Sequence, residues 1–277
     1  MNLQNIKKLP NYVRSFGVFH GLRLLYLIEQ SLSKKSDVIK KYFVPGYSKP
    51  VHLRKTISDH SIFWQCIVQR QYDFSRFSQS NQLMNTYHEM VKQGITPLII
   101  DCGGNIGLSS LYFANLFPEA KIYVVEPDED NFKMIKRNTV SFSDRIIPLK
   151  GGVWNKSGWL KIINPESGSA AFRVDFVDEN SGNAIRAYTI EDICTLACVH
   201  SPLIVKIDIE GAQISLFKEH IEWVSRSHLI MLELDDWLMP WKGTSRPFFR
   251  AMNQYPFDYL ISGETIFCFR DFSEENT

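Results

Sequence analysis

No run of apolar residues in this chain is long enough to span a bilayer. The most apolar early stretch, Val18 to Ile28, is broken by His20, Gly21 and Arg23. No small-residue cleavage pattern follows it, which argues against a signal peptide. The five cysteines (Cys66, Cys102, Cys194, Cys198 and Cys268) form no C-x-x-C pair and are odd in number, which fits a reduced compartment. The expected location is therefore the cytoplasm. Cys194 and Cys198 stand four apart, as on one helix face. With no matching His/Cys pair, they read as small buried apolar residues rather than metal ligands. The seven histidines contain no H-E-x-x-H pair, and no metal site is expected. An excess of one charge is missing too. The 31 basic residues face 30 acidic ones, so the molecule as a whole has no attraction to nucleic acid. Repeats and low-complexity tracts are also absent.

What is present suits one sizeable core with an accessory segment: 277 residues, 44% of them hydrophobic. Charge is uneven along the chain. Residues 1–50 hold nine Lys/Arg against two acids, a net of +7, and the remainder carries −6. Residues 1–95 read as a mainly helical accessory region. Val13, Phe16, Leu24, Leu27 and Ile28 have helical spacing, with cations between them. The expectation is a helix packed on the rest of the protein with a solvated basic face. A substrate lid, a homodimer contact or a peripheral membrane contact are the alternatives. A short strand at Val51–Arg54, a helix at Ile62–Arg70 capped by Ser58 or Asp59, and a helix at Gln82–Lys92 follow.

From residue 96 to 277 the pattern alternates. Strands are expected at Leu98–Asp101, Lys121–Glu126, Arg145–Lys150, Leu203–Asp208 and His228–Glu233, and shorter ones within Gly152–Ile163, Ala170–Val177 and Ala187–Thr189. Helices are expected at Leu108–Leu116, Asn131–Asn138, Ala212–His220 and Arg246–Gln254. Tyr259–Ser262 and Ile266–Arg270 flank a Gly263-Glu264 turn and read as a closing hairpin. The fold class is α/β: a mostly parallel, Rossmann-like sheet closed by an antiparallel hairpin. Ligands in such sheets sit beyond the carboxyl ends of the strands, and Asp101, Glu126 and Asp208 stand at three of those ends.

The sharpest segment is Leu98-Ile-Ile-Asp101-Cys-Gly103-Gly104-Asn105-Ile-Gly107. A dinucleotide turn needs G-x-G-x-x-G. Started at Gly103 that pattern meets Asn105 and Leu108, and started at Gly104 it meets Ile106, so the pyrophosphate fingerprint fails in both registers. What remains is D-x-G-x-N-x-G. Glu126 can accept the two hydroxyls of an adenosine ribose, and Asp101 can meet the amino group of an aminoacyl tail. A ligand with a ribose, a cationic amino acid end and no pyrophosphate fits S-adenosylmethionine.

Ile99-Ile-Asp-Cys-Gly-Gly-Asn-Ile-Gly-Leu-Ser, then Val125-Glu126-Pro127-Asp128, then Val205-Lys206-Ile-Asp208-Ile-Glu210-Gly211, resembles the FkbM-type methyltransferase family over roughly residues 95–235. The resemblance implies a class I methyltransferase fold, S-adenosylmethionine as donor, and O-methylation, often of sugars in glycans or natural products. It adds Pro127 to the cofactor site and places Gly152 and Val153 near the adenine. The family often has E-x-H at the end of the fifth strand, whereas this chain has Glu233-Leu234-Asp235.

Methylating an alcohol requires in-line alignment and removal of a proton. Lys206, Asp208 and Glu210 alternate along one strand and share a face. Asp208 is the first candidate for a base or for orienting the acceptor hydroxyl, with Glu210 and Glu233 beside it and Lys206 as ion-pair partner. A structural ion-pair network is the competing reading. The expected function is an O-methyltransferase acting on a carbohydrate hydroxyl. The alternatives are a nicotinamide-dependent sugar oxidoreductase or epimerase, which the missing Y-x-x-x-K pair disfavours, and a non-catalytic cofactor-binding module.

Overall fold

The computed structural model describes residues 3–29, 32–33, 36–162, 174–177, 182, 184–209, 211–237 and 239–272. Glu210, a candidate for the catalytic machinery, lies outside them, as do residues 170–173 of the expected strand at Ala170–Val177.

The first helix, α1 (Leu3–Ile28), is broken at Gly17. It buries Tyr12, Leu24, Leu25 and Ile28, as expected for a helix packed on the rest of the protein, and leaves Arg14, Val18, Phe19, Leu22 and Arg23 exposed. Strand β1 (Ile39–Tyr42), which the sequence did not announce, pairs antiparallel with β2 (Val51–Arg54). Helix α2 (Ile57–Phe63) starts earlier than expected because Thr56 caps it, accepting the Asp59 N–H. Ser58 and Asp59 are therefore not caps. The Asp59 carboxylate binds the Arg54 guanidinium and backbone N–H instead. α2 widens into a π-helical turn at Trp64–Val68, and α3 covers Ser80–Lys92.

The alternating half runs β3 (Leu98–Cys102), α4 (Leu108–Leu116), β4 (Lys121–Glu126), α5 (Glu129–Thr139), β5 (Ile146–Lys150), β6 (Gly152–Val153), β7 (Gly158–Ile162), β8 (Val174–Val177), β9 (Ile185–Tyr188) and α6 (Ile190–Ala197). It continues with β10 (Ile204–Ile207), α7 (Gln213–Leu216), α8 (Glu222–Arg226), β11 (Leu229–Glu233), α9 (Arg246–Met252), β12 (Phe257–Ser262) and β13 (Thr265–Arg270). Two helix expectations need correction. α6 was not expected. It is fixed by a capping box between Thr189 and Asp192, and it buries Cys194 while leaving Cys198 exposed just past its end. The helix expected at Ala212–His220 is only α7, because the chain leaves helical geometry at Phe217 and turns left-handed at His220.

The main sheet has the order β12-β13-β11-β10-β3-β4-β5. β13 alone runs against its neighbours β11 and β12. The expected hairpin is present: its second strand, β13, inserts between β11 and its first strand, β12, which forms the sheet edge. This is the class I methyltransferase fold that the resemblance implied. Alternation along the strands splits the core into two layers. Ile99, Val124, Ile204 and Met231 face α4, α5 and the N-terminal elements, while Ile100, Val125, Val205 and Leu232 face α6 to α9. The N-terminal 95 residues thus complete one face of the sheet. A four-stranded sheet, β6-β9-β7-β8, stands beside it. Among the described residues, no helix is long and apolar enough to cross a membrane.

Candidate active site

The turn after β3 has little room. The Gly103 and Gly104 N–H groups both donate to the Val125 carbonyl, at 3.0 Å each, which folds the turn back over the end of β4. Gly103 has φ 79°, and a Cβ on it would stand 1.8 Å from the Asp208 carbonyl oxygen. A Cβ on Gly104 would stand 2.0 Å from Val124 Cγ2. Glycine is required at both positions, at Gly103 for conformation and space and at Gly104 for space. Asn105 is left-handed, with φ 49°, and so aims its N–H at Glu126 Oε2, 2.9 Å away. Asp128, the N-cap of α5, donates its own N–H to Glu126 Oε1 at 2.9 Å. The Glu126 carboxylate is thus held by one backbone donor on each oxygen, with the Asn131 side chain as a further hydrogen-bond partner. Burial pushes its pKa up to about 8, against the pull of those two N–H groups.

Behind the turn lies a buried charge cluster. Asp101, wholly buried, pairs with Lys206 at 3.1 Å and accepts the Ser109 and Ser110 hydroxyls at 2.6 Å each. Lys206, 2% exposed, also pairs with Asp208 at 3.6 Å and donates to the Gly103 carbonyl at 2.7 Å. Burial alone would lower the Lys206 pKa. The carboxylates of Asp101 and Asp208 outweigh it and raise the pKa above its usual value. Asp101 was expected to meet a ligand's amino group. It shares the sheet face of Ile99, which packs under α4, so it points into that layer and does not line the cavity. It serves Lys206, and through Lys206 the shape of the glycine turn. Asp208 is 35% exposed on its side chain and accepts from the Tyr72 hydroxyl at 3.3 Å.

A cavity of about 400 Å³ opens at the carboxyl ends of the strands. It brings together Glu126, Pro127, Gly152 and Val153 on one side, the glycine turn with Gly103 and Asn105 and then Asp208 in the middle, and Glu233, three strands along the sheet from Glu126, on the other. Gly104 and Gly107 lie behind it; Gly107, left-handed, opens α4. Glu233 accepts hydrogen bonds from the Gln71 amide and, at 3.4 Å, from the Thr265 hydroxyl. Burial and the nearby Asp208 charge push its pKa up to about 7. Asp235, two residues on, is buried and holds the Gln213 amide. Among the described residues, no three His, Cys, Asp or Glu side chains stand where they could share a cation.

Sequence reasoning missed part of the cavity wall: Ser58, Ser61, Ile62, Gln65 and Gln71 from the N-terminal region, and Trp237 and Glu264. One signal was available. Positions 58, 61, 62 and 65 have the spacing of a single helix face. Gln71 and Tyr72 carried none, because only the tertiary fold brings them to Glu233 and Asp208.

A family profile described as the methyltransferase FkbM domain matches residues 101–255, more than half of the chain. Two characterised relatives match more distantly. A hexuronic acid methyltransferase, AglP, from Haloferax volcanii is 23% identical over 48% of this chain and 54% of its own length. The methyltransferase sdnD from Sordaria araneosa is 25% identical over 46% of this chain and 63% of its own length. The chain therefore spans between half and two thirds of the relatives it matches. Among solved structures, the C-terminal domain of precorrin-6Y C5,15-methyltransferase from Rhodobacter capsulatus is similar at 14% identity and a TM-score of 0.35, over 64% of this chain and 81% of that one.

Proposed function

The chain belongs to the FkbM methyltransferase family, and from that premise we propose that it transfers the methyl group of S-adenosylmethionine to a carbohydrate hydroxyl, with Glu233 taking the hydroxyl proton. One observation carries the reading: a ribose-type carboxylate, Glu126, and a second carboxylate, Glu233, face one cavity from opposite ends.

The residues present fit the cofactor. Glu126, oriented by two backbone N–H groups, lines the cavity where it can accept from a vicinal diol. Pro127, Gly152 and Val153 offer a small, largely apolar rim for a flat base. The carboxylates of Asp208 and Glu233 favour a cationic sulfonium. When bound, S-adenosylmethionine supplies an electrophilic methyl carbon. The chain's own residues do the rest. Glu233 would take the proton that the acceptor hydroxyl loses as the methyl group passes from sulfur to oxygen, the sulfur–methyl bond breaking and the thioether product leaving. Gln71 and Thr265 hold its carboxylate in place. Asp208, which shares Lys206 with Asp101, orients the hydroxyl. The polar wall of Ser58, Ser61, Gln65 and Gln71 suits an acceptor rich in hydroxyls, and the Haloferax relative's name points to the same substrate class.

Calorimetric titration with S-adenosylmethionine, S-adenosylhomocysteine and NAD tests the cofactor half of this reading. Binding of the first two without the third supports it, and NAD binding alone would sink it. The Glu126 geometry adds a linkage. In the free protein this group is protonated below about pH 8, while ribose hydroxyls donate more strongly to the carboxylate than to the acid. Binding should therefore release a proton at pH 7, and affinity should rise with pH and level off above about 8. Titration in two buffers of different ionisation enthalpy would show the release. Glu126→Gln should abolish it and weaken binding roughly 10-fold or more, the cost of losing charge-assisted hydrogen bonds. Equal heats in both buffers would remove Glu126 from the ribose.

A further inference from the structure

We propose that the acceptor end of the cavity is an anion-excluding subsite, which takes a neutral or amino-bearing sugar ring and rejects a uronate or a phosphorylated one. The inference rests on the carbohydrate reading above and narrows it. Three carboxylates, Glu233, Glu264 and, toward the middle of the cavity, Asp208, line this end, and among the described lining residues there is no Lys, Arg or His. The nearest ammonium, Lys206, is buried and faces two carboxylates, Asp101 and Asp208, so it has no charge left for a ligand. An anionic sugar would have to leave water for a wall of like charge, with no guanidinium or ammonium to receive it. A neutral ring meets complementary groups instead. Ser58, Ser61, Gln65 and Gln71 supply hydroxyls and amides, each both donor and acceptor, as sugar hydroxyls are. Trp237, 71% exposed at the cavity edge, offers an aromatic face to the apolar face of a pyranose. An amino sugar would gain a partner among the carboxylates.

The sulfonium and the acceptor thus share one electrostatic preference. Carboxylates that favour a cationic donor also repel an anionic acceptor, so the site selects by charge.

The test uses the full chain saturated with S-adenosylhomocysteine. Binding of methyl glucuronoside is compared with its neutral uronamide, with methyl glucoside, and with methyl glucosaminide, at low salt and about pH 8, where Glu233 is ionised. The uronamide should bind at least about 10-fold tighter than the uronate, and added salt should narrow the difference. Glu264→Gln, on the exposed hairpin turn, should close part of the gap. Uronate binding equal to or tighter than uronamide binding overturns the proposal and leaves the carbohydrate reading standing. If no sugar binds but simpler alcohols do, the carbohydrate reading fails, and a hydroxybenzoate compared with its hydroxybenzamide decides the charge rule by itself. If none of these molecules binds beside S-adenosylhomocysteine, the subsite is overturned.

Discussion

Glu233→Gln is expected to lower turnover by roughly 10²- to 10⁴-fold while leaving S-adenosylmethionine affinity within about twofold. The carboxylate lies at the acceptor end of the cavity, away from Glu126 and the glycine turn. Its pKa, pushed up to about 7 by burial and by Asp208, gives it a proton affinity suited to accepting the hydroxyl proton near neutrality. The sign of the pH dependence follows. Only the ionised form can act as a base, so kcat should climb as pH rises through about 7 and then level off, and the climb should vanish in the glutamine variant. Glutamine keeps the size of the side chain and can still meet Gln71 and Thr265, so the fold should survive. Asp208→Asn makes the contrast. If Asp208 orients the hydroxyl, the loss should be smaller and the pH step should remain but move to lower pH, since the Asp208 charge that helps raise it is gone. A pH step near 7 that persists in Glu233→Gln and disappears in Asp208→Asn would exchange the two roles.

Lys206→Met should cost about 3–5 kcal/mol of stability, because it leaves two carboxylates, one of them wholly buried, without their cation. For a chain of this size that is a fall in Tm of roughly 10 °C, measured by thermal or urea unfolding. The Ser109 and Ser110 hydroxyls would remain on Asp101, but neutral donors do not replace an ammonium. The double variant Lys206→Met, Asp101→Asn should recover much of the loss, since it removes the orphaned charge along with its partner. A single variant that unfolds within 1 kcal/mol of the parent, on the scale of a surface pair, would mean that the cluster is dispensable to the fold.

The main sheet was largely legible in the sequence because its strands combine apolar runs with marked ends. Lys121–Glu126 and Leu108–Leu116 fall where periodicity put them. The failures have local causes. α6 is short and held by a Thr189–Asp192 capping box, which is a polar signal and not an apolar period. α2 starts at a threonine with two other cap-type residues, Ser58 and Asp59, just after it. At the site, residues adjacent to the glycine motif were readable, since the chemistry that needs them lies within one turn of chain. Asp101 misled because a strand-end acid can point to either face. Its partners Ser109 and Ser110 lie eight and nine residues away, beyond the glycine turn, while its partner Lys206 lies about a hundred residues away. Gln71, whose amide meets Glu233 from 162 residues away in the sequence, could be found only after folding.

The position of β13 has a consequence for how the protein is made. β11 emerges from the ribosome before the strand that will cover its edge, and β12 emerges between them without touching it. Until Thr265–Arg270 inserts, β11 presents an open row of backbone donors and acceptors, the kind of edge at which nascent chains stick together. The same insertion delivers the Thr265 hydroxyl to Glu233. Protection of the β11 edge and completion of the carboxylate's surroundings therefore depend on one and the same strand pairing.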